Sequence, residues 1–252
     1  MPADPAPSSC RTRGDPDGAV VVFTHGTLDD HRSFDPLVPF FVEAGYRTVT
    51  RDLPGHGGSE DGEHFDLTKA SRDLLGLLDE IGAPTAVLIG HSPGGYSSEE
   101  AAIEAPHRLD ALVVIGATSL TPKPSLLPMI ALRLSVTLLR LAPKRWARRR
   151  AQHLFRRSTR SSRTNGAARQ RRHTGARPGI LRRRHPAHRP APTLVCHGEH
   201  AHSGIIASAA PEWARRHPLV RHRVVPGAGH LAHRDNPGAT ARVVLDFLRG
   251  FR

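Results

Sequence analysis

The chain has 252 residues, enough for one α/β domain with a substantial core. Its formal charge is +13, yet 20 Lys and Arg lie between Asp110 and Glu199 without one Asp or Glu, and the other 16 basic residues are outnumbered by 23 acidic ones. The basic character therefore belongs to one segment, not to a uniformly nucleic-acid-coating chain. Two distant cysteines, Cys10 and Cys196, give no support to a disulfide framework or a zinc site.

Residues 1–18 are rich in Pro, Asp and Ser with no apolar run, so a disordered tail without a secretory leader is expected. Ala19-Val20-Val21-Val22-Phe23-Thr24 is a short continuous apolar run ending at His25-Gly26, the pattern of a buried parallel strand. Residues 34–44 read as a helix closed by Gly45. Residues 46–50 read as the next strand, entering the turn-rich run Asp52-Leu53-Pro54-Gly55-His56-Gly57-Gly58-Ser59. Leu67, Leu74, Leu77, Leu78 and Ile81 have helical spacing before Gly82.

A buried strand over residues 85–90 then enters Gly90-His91-Ser92-Pro93-Gly94-Gly95, and a helix continues over 97–105 up to Pro106. Strands follow over 111–115, 193–196 and 220–225, and a last helix over 239–248. Such alternation predicts an α/β fold with a mostly parallel sheet and helices on both faces.

Residues 120–190 interrupt the alternation as an insertion between two core parts, 19–119 and 191–252. Within it, 126–141 is apolar but too short and too charged for a membrane span. It reads as a lid helix over a pocket, with a membrane-surface helix as the alternative. Residues 156–190 are Arg, Ser, His and Pro-rich with almost no apolar periodicity, a composition that cannot offset ordering entropy. Total absence of acids there favours a segment read in a shifted frame, ahead of a flexible basic lid. A nucleic-acid arm comes last, because aromatics are not interleaved with the charge.

Gly90-His91-Ser92-Pro93-Gly94 matches G-x-S-x-G between a buried strand and a helix, the context that gives the motif its meaning. Side chains at Gly90 and Gly94 would collide in so sharp a turn. Three further blocks resemble the α/β-hydrolase superfamily, in its small esterase, lactonase and C–C-hydrolase-like members. They are His25-Gly26-Thr27, the Asp52–Ser59 run, and Pro226-Gly227-Ala228-Gly229-His230. The resemblance covers about residues 19–120 and 191–250, and implies a sheet trimmed of one or two leading strands.

It also implies Ser92 as nucleophile, His230 as general base and the Thr27 N–H, with Leu28 or the Thr27 hydroxyl assisting, as oxyanion donor. His233 reads as solvent-facing, while His25 and His91 read as loop-orienting. Two departures stand out. The family's Gly-x-x-Asp appears here as Gly198-Glu199-His200-Ala201, with Glu199 two residues early, and Gly116-Ala117-Thr118-Ser119 offers no carboxylate either. Pro93 lacks the N–H that the residue after the nucleophile normally contributes, and it biases Ser92 toward extended backbone. The expectation is a cytoplasmic, cofactor-free and metal-free serine hydrolase of a small ester, thioester or lactone, with impaired turnover. The alternatives are a catalytically silent binding protein of the same fold and a degenerate, frameshifted gene product. No specific nucleic-acid partner is expected.

Overall fold

The computed structural model describes residues 9–27, 29–59, 65–119, 191–201 and 205–250. The expected lid helix, the basic segment and the Leu28 donor lie outside the described residues.

Among the described residues seven strands, numbered in chain order from β1 (Cys10–Arg13) to β7 (Val220–Val225), form one sheet in the order β1-β3-β2-β4-β5-β6-β7. Its parallel strands are β2 (Val20–Thr24), β3 (Arg47–Arg51), β4 (Ala86–His91), β5 (Leu109–Ile115), β6 (Thr193–Gly198) and β7 (Val220–Val225). β2 and β4 are buried along their whole length because helices cover both faces of the sheet.

Alternation within β2 sorts its side chains into two cores. Val21 and Phe23 pack with α1 (Val38–Glu43) and the final helix, whereas Val20 and Val22 face α2 (Leu67–Glu80) and α3 (Pro93–Glu104). The first face is aromatic: Phe23 lies 5.0 Å from Phe34 and 5.2 Å from Phe41, ring centre to centre. Asp66 caps α2, its carboxylate accepting the Lys69 N–H at 2.8 Å.

Three features differ from expectation. Cys10–Arg13 (β1) is a strand, antiparallel to β3 at the sheet edge, so the tail is ordered from there and one leading strand is present. Its side chains are largely exposed, so the backbone ladder holds it without the apolar alternation that announces a strand. The expected 34–44 helix divides into a 3-10 turn at His31–Phe34 and the shorter α1. A helix at Ile205–Arg216, α4, carries Pro211 inside it, a residue that ordinarily argues against a helix there. The chain ends in a single turn, α5 (Ala232–Asp235), and α6 (Pro237–Arg249).

Strand order reverses between β2 and β4. The chain leaves β2 for β3 on one side and returns to lay β4 on the other, with Thr24 beside Gly90. Loops leaving the carboxyl ends of such a pair flank the crevice where open α/β sheets place their sites.

Candidate active site

β4 delivers Ser92 at φ 52 and ψ −119, the one non-glycine residue with positive φ among the described residues. Conformations of this kind cost about 1–3 kcal/mol and persist only where the surroundings impose them. Here the Ser92 N–H donates to the Ile115 carbonyl at 3.0 Å, and the Ser92 carbonyl accepts from Gly95 and Tyr96 N–H at 2.9 and 3.2 Å. These anchors override the extended bias expected from Pro93, which sits at the first helical position of α3. A Cβ on Gly90 would strike the Gly94 carbonyl, and one on Gly94 would strike the Thr24 and His25 carbonyls. The elbow is thus wedged against the end of β2.

At that end, His25 is fully buried and has both ring nitrogens engaged. Its Nε2 accepts the Leu53 N–H at 3.0 Å, which leaves the proton on Nδ1 to be donated to the Gly26 carbonyl at 2.7 Å. Burial lowers its pKa to about 4, so the ring is neutral. Thr27 follows at the surface. Beneath this loop Asp52 is buried and accepts the His31 N–H at 2.6 Å, His31 Nδ1 at 3.0 Å and the Gly58 N–H at 2.7 Å. Gly57, at φ +57, lies where any Cβ would fall on that carboxylate, so the Asp52–Ser59 run folds around one anion.

His230 enters from the turn between β7 and α5. Its carbonyl accepts from His91 Nε2 at 3.2 Å, and the two rings meet edge to face at 4.9 Å. A Cβ on Gly116 (φ +61) would lie 3.3 Å from His230 Nδ1. Gly116 directly follows Ile115, the residue that holds the Ser92 N–H, so Ser92 and His230 converge on the end of β5. Burial lowers the His230 pKa, and the charge of Asp235 works against that shift.

His233 contradicts its solvent-facing expectation. It is fully buried, stacks on Phe34 at 4.4 Å and hydrogen-bonds Ser33 Oγ through Nε2 at 2.8 Å. Its partners lie 200 positions upstream in the 31–34 turn, beyond the reach of any local pattern. Among the described residues no cluster of three or more His, Cys, Asp or Glu could hold a metal ion, and no helix is long and apolar enough to cross a membrane.

A family profile described as the Alpha/beta hydrolase family matches residues 21–243. The chain belongs to the alpha/beta hydrolase family.

Epoxide hydrolase A of Mycobacterium tuberculosis is 32% identical over 123 residues, 48% of this chain and 38% of that protein. A 2-hydroxy-6-oxononadienedioate/2-hydroxy-6-oxononatrienedioate hydrolase of Burkholderia vietnamiensis is 38% identical over 95 residues, 36% of this chain and 31% of its own length. The matched stretch thus spans about a third of these curated relatives. Among solved structures, epoxide hydrolase A of Mycobacterium thermoresistibile superposes with TM-score 0.70 at 23% identity, covering 96% of this chain and 94% of that one. A thermophilic esterase of Thermogutta terrifontis gives TM-score 0.65 at 21% identity, covering 96% and 93%. At these identities the structures share the fold alone.

In this alpha/beta hydrolase Ala201, where the sequence resemblance puts the family's acid, is buried with its N–H on the Gly198 carbonyl at 3.0 Å. Glu199 instead accepts the Gly227 N–H at 2.9 Å and lies half-exposed beside His200. A carboxylate whose charge reaches His230 is that of Asp235, which accepts the Gly229 N–H at 2.9 Å. Nothing in the sequence marks it. The single turn of α5 brings it back beneath the histidine loop.

Proposed function

We propose that the chain is a serine hydrolase of small esters, thioesters or lactones, with Ser92 as nucleophile, His230 as general base and the Thr27 N–H as oxyanion donor. The observation that carries this reading is Ser92 at φ 52 on a strand-to-helix turn, anchored on Ile115 beside the Gly116 that underlies His230. Free cysteines at positions 10 and 196 support a reducing, cytoplasmic setting.

Ser92 Oγ bonds to the acyl carbon as His230 takes its proton, and the carbonyl electron pair moves onto the oxygen near Thr27. That pair returns as the bond to the leaving group breaks, and His230 gives the proton to the departing alkoxide or thiolate. Water, deprotonated by the same histidine, then attacks the acyl-serine and releases the acid with Ser92 restored.

Relatives named as epoxide hydrolases raise a second substrate class, and bond chemistry argues against it for this chain. Serine attack on an epoxide carbon would leave an ether, which has no carbonyl for activated water to attack. Attack on an acyl carbon leaves an ester, which water cleaves. A serine at the elbow therefore favours acyl over epoxide substrates.

One observation favours a silent member of the family: Pro93 offers no N–H at the start of α3. Hydrolysis of a short p-nitrophenyl ester, absent in Ser92→Ala and unaccompanied by epoxide opening, is the expected result. A well-folded chain with no esterase activity above that of Ser92→Ala would give the silent reading precedence.

A further inference from the structure

Three loops supply the proposed machinery: the β2 loop with Thr27, the elbow after β4, and the turn that carries His230. One side chain touches all of them. His91 is the last residue of β4 and the immediate neighbour of Ser92, and it is buried. Its Nε2 lies 3.2 Å from the His230 carbonyl oxygen. Its other edge faces the β2 loop so closely that a Cβ on Gly26 would fall on Nδ1, which has no hydrogen-bond partner. Its ring also lies 4.7 Å from that of His233 on α5.

A carbonyl oxygen only accepts, so the short contact requires the proton on Nε2. Nδ1, buried without a hydrogen-bond partner, then carries the lone pair, since a second N–H there would find no acceptor. The neutral Nε2–H tautomer is therefore the one that fits both edges of the ring. Burial agrees, lowering the pKa to about 3.

We infer that His91 is a positioning residue, whose Nε2–H fixes the His230 main chain relative to Ser92 while its ring seats the Gly26 turn. This rests on the reading of Ser92 and His230 as nucleophile and base. A residue that merely filled space would need no proton donor, whereas here the donor is aimed at the backbone of the base itself. Displacing that backbone by a fraction of an ångström would misalign proton transfer without altering the pocket that binds substrate.

The test compares His91→Met, which keeps volume but removes the donor, with His91→Gln, whose amide nitrogen occupies the Nε2 position. Labelling by a fluorophosphonate is followed against probe concentration, so that the maximal rate and half-saturation separate. His91→Met should lower the maximal rate about tenfold, the worth of one hydrogen bond, at unchanged half-saturation. His91→Gln should recover to within about threefold of wild type on the same reasoning. Equal losses in both variants, or none in His91→Met, would overturn the inference. Nitrogen-15 histidine spectra judge it independently of activity. Wild-type His91 should be the Nε2–H tautomer, and the His230 ring signals should move in His91→Met but hold in His91→Gln. An Nδ1–H tautomer, or unmoved His230 signals in His91→Met, overturns the positioning role. Absence of labelling in wild type with these spectra as expected overturns only the hydrolase reading.

Discussion

The carboxylate of Asp235 grips the Gly229 N–H at 2.9 Å, one residue ahead of His230, and its negative charge opposes the loss of basicity that burial imposes on that histidine. A general base is active in its neutral form, so under the proposed mechanism activity should rise with pH through a His230 pKa below 6.5. Asp235→Asn keeps an oxygen for Gly229 but removes the charge. The ascending limb of kcat/KM should then move to still lower pH, whereas an unmoved limb would mean that Asp235 does not act on His230 electrostatically.

Ala201 lies in the turn after β6, which packs on the histidine loop: the His200 N–H donates to the Ala228 carbonyl at 2.8 Å. The resemblance implies that a carboxylate placed there orients His230 and stabilises its cationic form. Losing such an acid can cost on the order of 10⁴ in turnover, so Ala201→Asp should raise esterase kcat by at least about tenfold. Unchanged turnover in a folded variant would count against His230 as the base.

Pro93→Met supplies an N–H beside Ser92, the proposed nucleophile. The helix start should tolerate it, because Gly95 and Tyr96 already anchor on the Ser92 carbonyl. One oxyanion donor is worth about 10²–10³ in kcat. Turnover of a p-nitrophenyl ester should rise toward that range. No gain would show that the N–H at position 93 does not face the developing oxyanion.

His25, His91 and His233 are buried and held neutral, with pKa values lowered to about 4, to about 3 and well below 6.5 respectively. An unfolded chain protonates all three below pH 6.5, and the native chain does not. Their contribution to stability is therefore complete above that pH and is lost as pH falls from about 6.5 towards 4. Each adds a slope approaching about 1.4 kcal/mol per pH unit. Urea unfolding at several pH values should show this decline, and His233→Gln should make it shallower. A flat profile between pH 7 and 5 would contradict neutral burial.

The elbow was legible because its signal is local: a wholly buried strand, a glycine two places either side of a serine, and a helix after it. The parallel core was legible for the same reason, since a strand covered on both faces must be apolar throughout. β1 left no such trace, as its side chains face water and its hold on β3 is made by backbone. His233 and Asp235 owe their roles to contacts that the 31–34 turn and the α5 turn create. Residue type alone misled for His233 and said nothing for Asp235. Pro211 hid α4 by breaking the pattern it sits in.

The most direct test of the account is the intact mass of the chain after incubation with a fluorophosphonate, followed by peptide mapping. A single adduct on Ser92, absent in Ser92→Ala and strongly slowed in His230→Ala, is the predicted result. An unmodified chain that is demonstrably folded, or an adduct that persists at the same rate in His230→Ala, would contradict it.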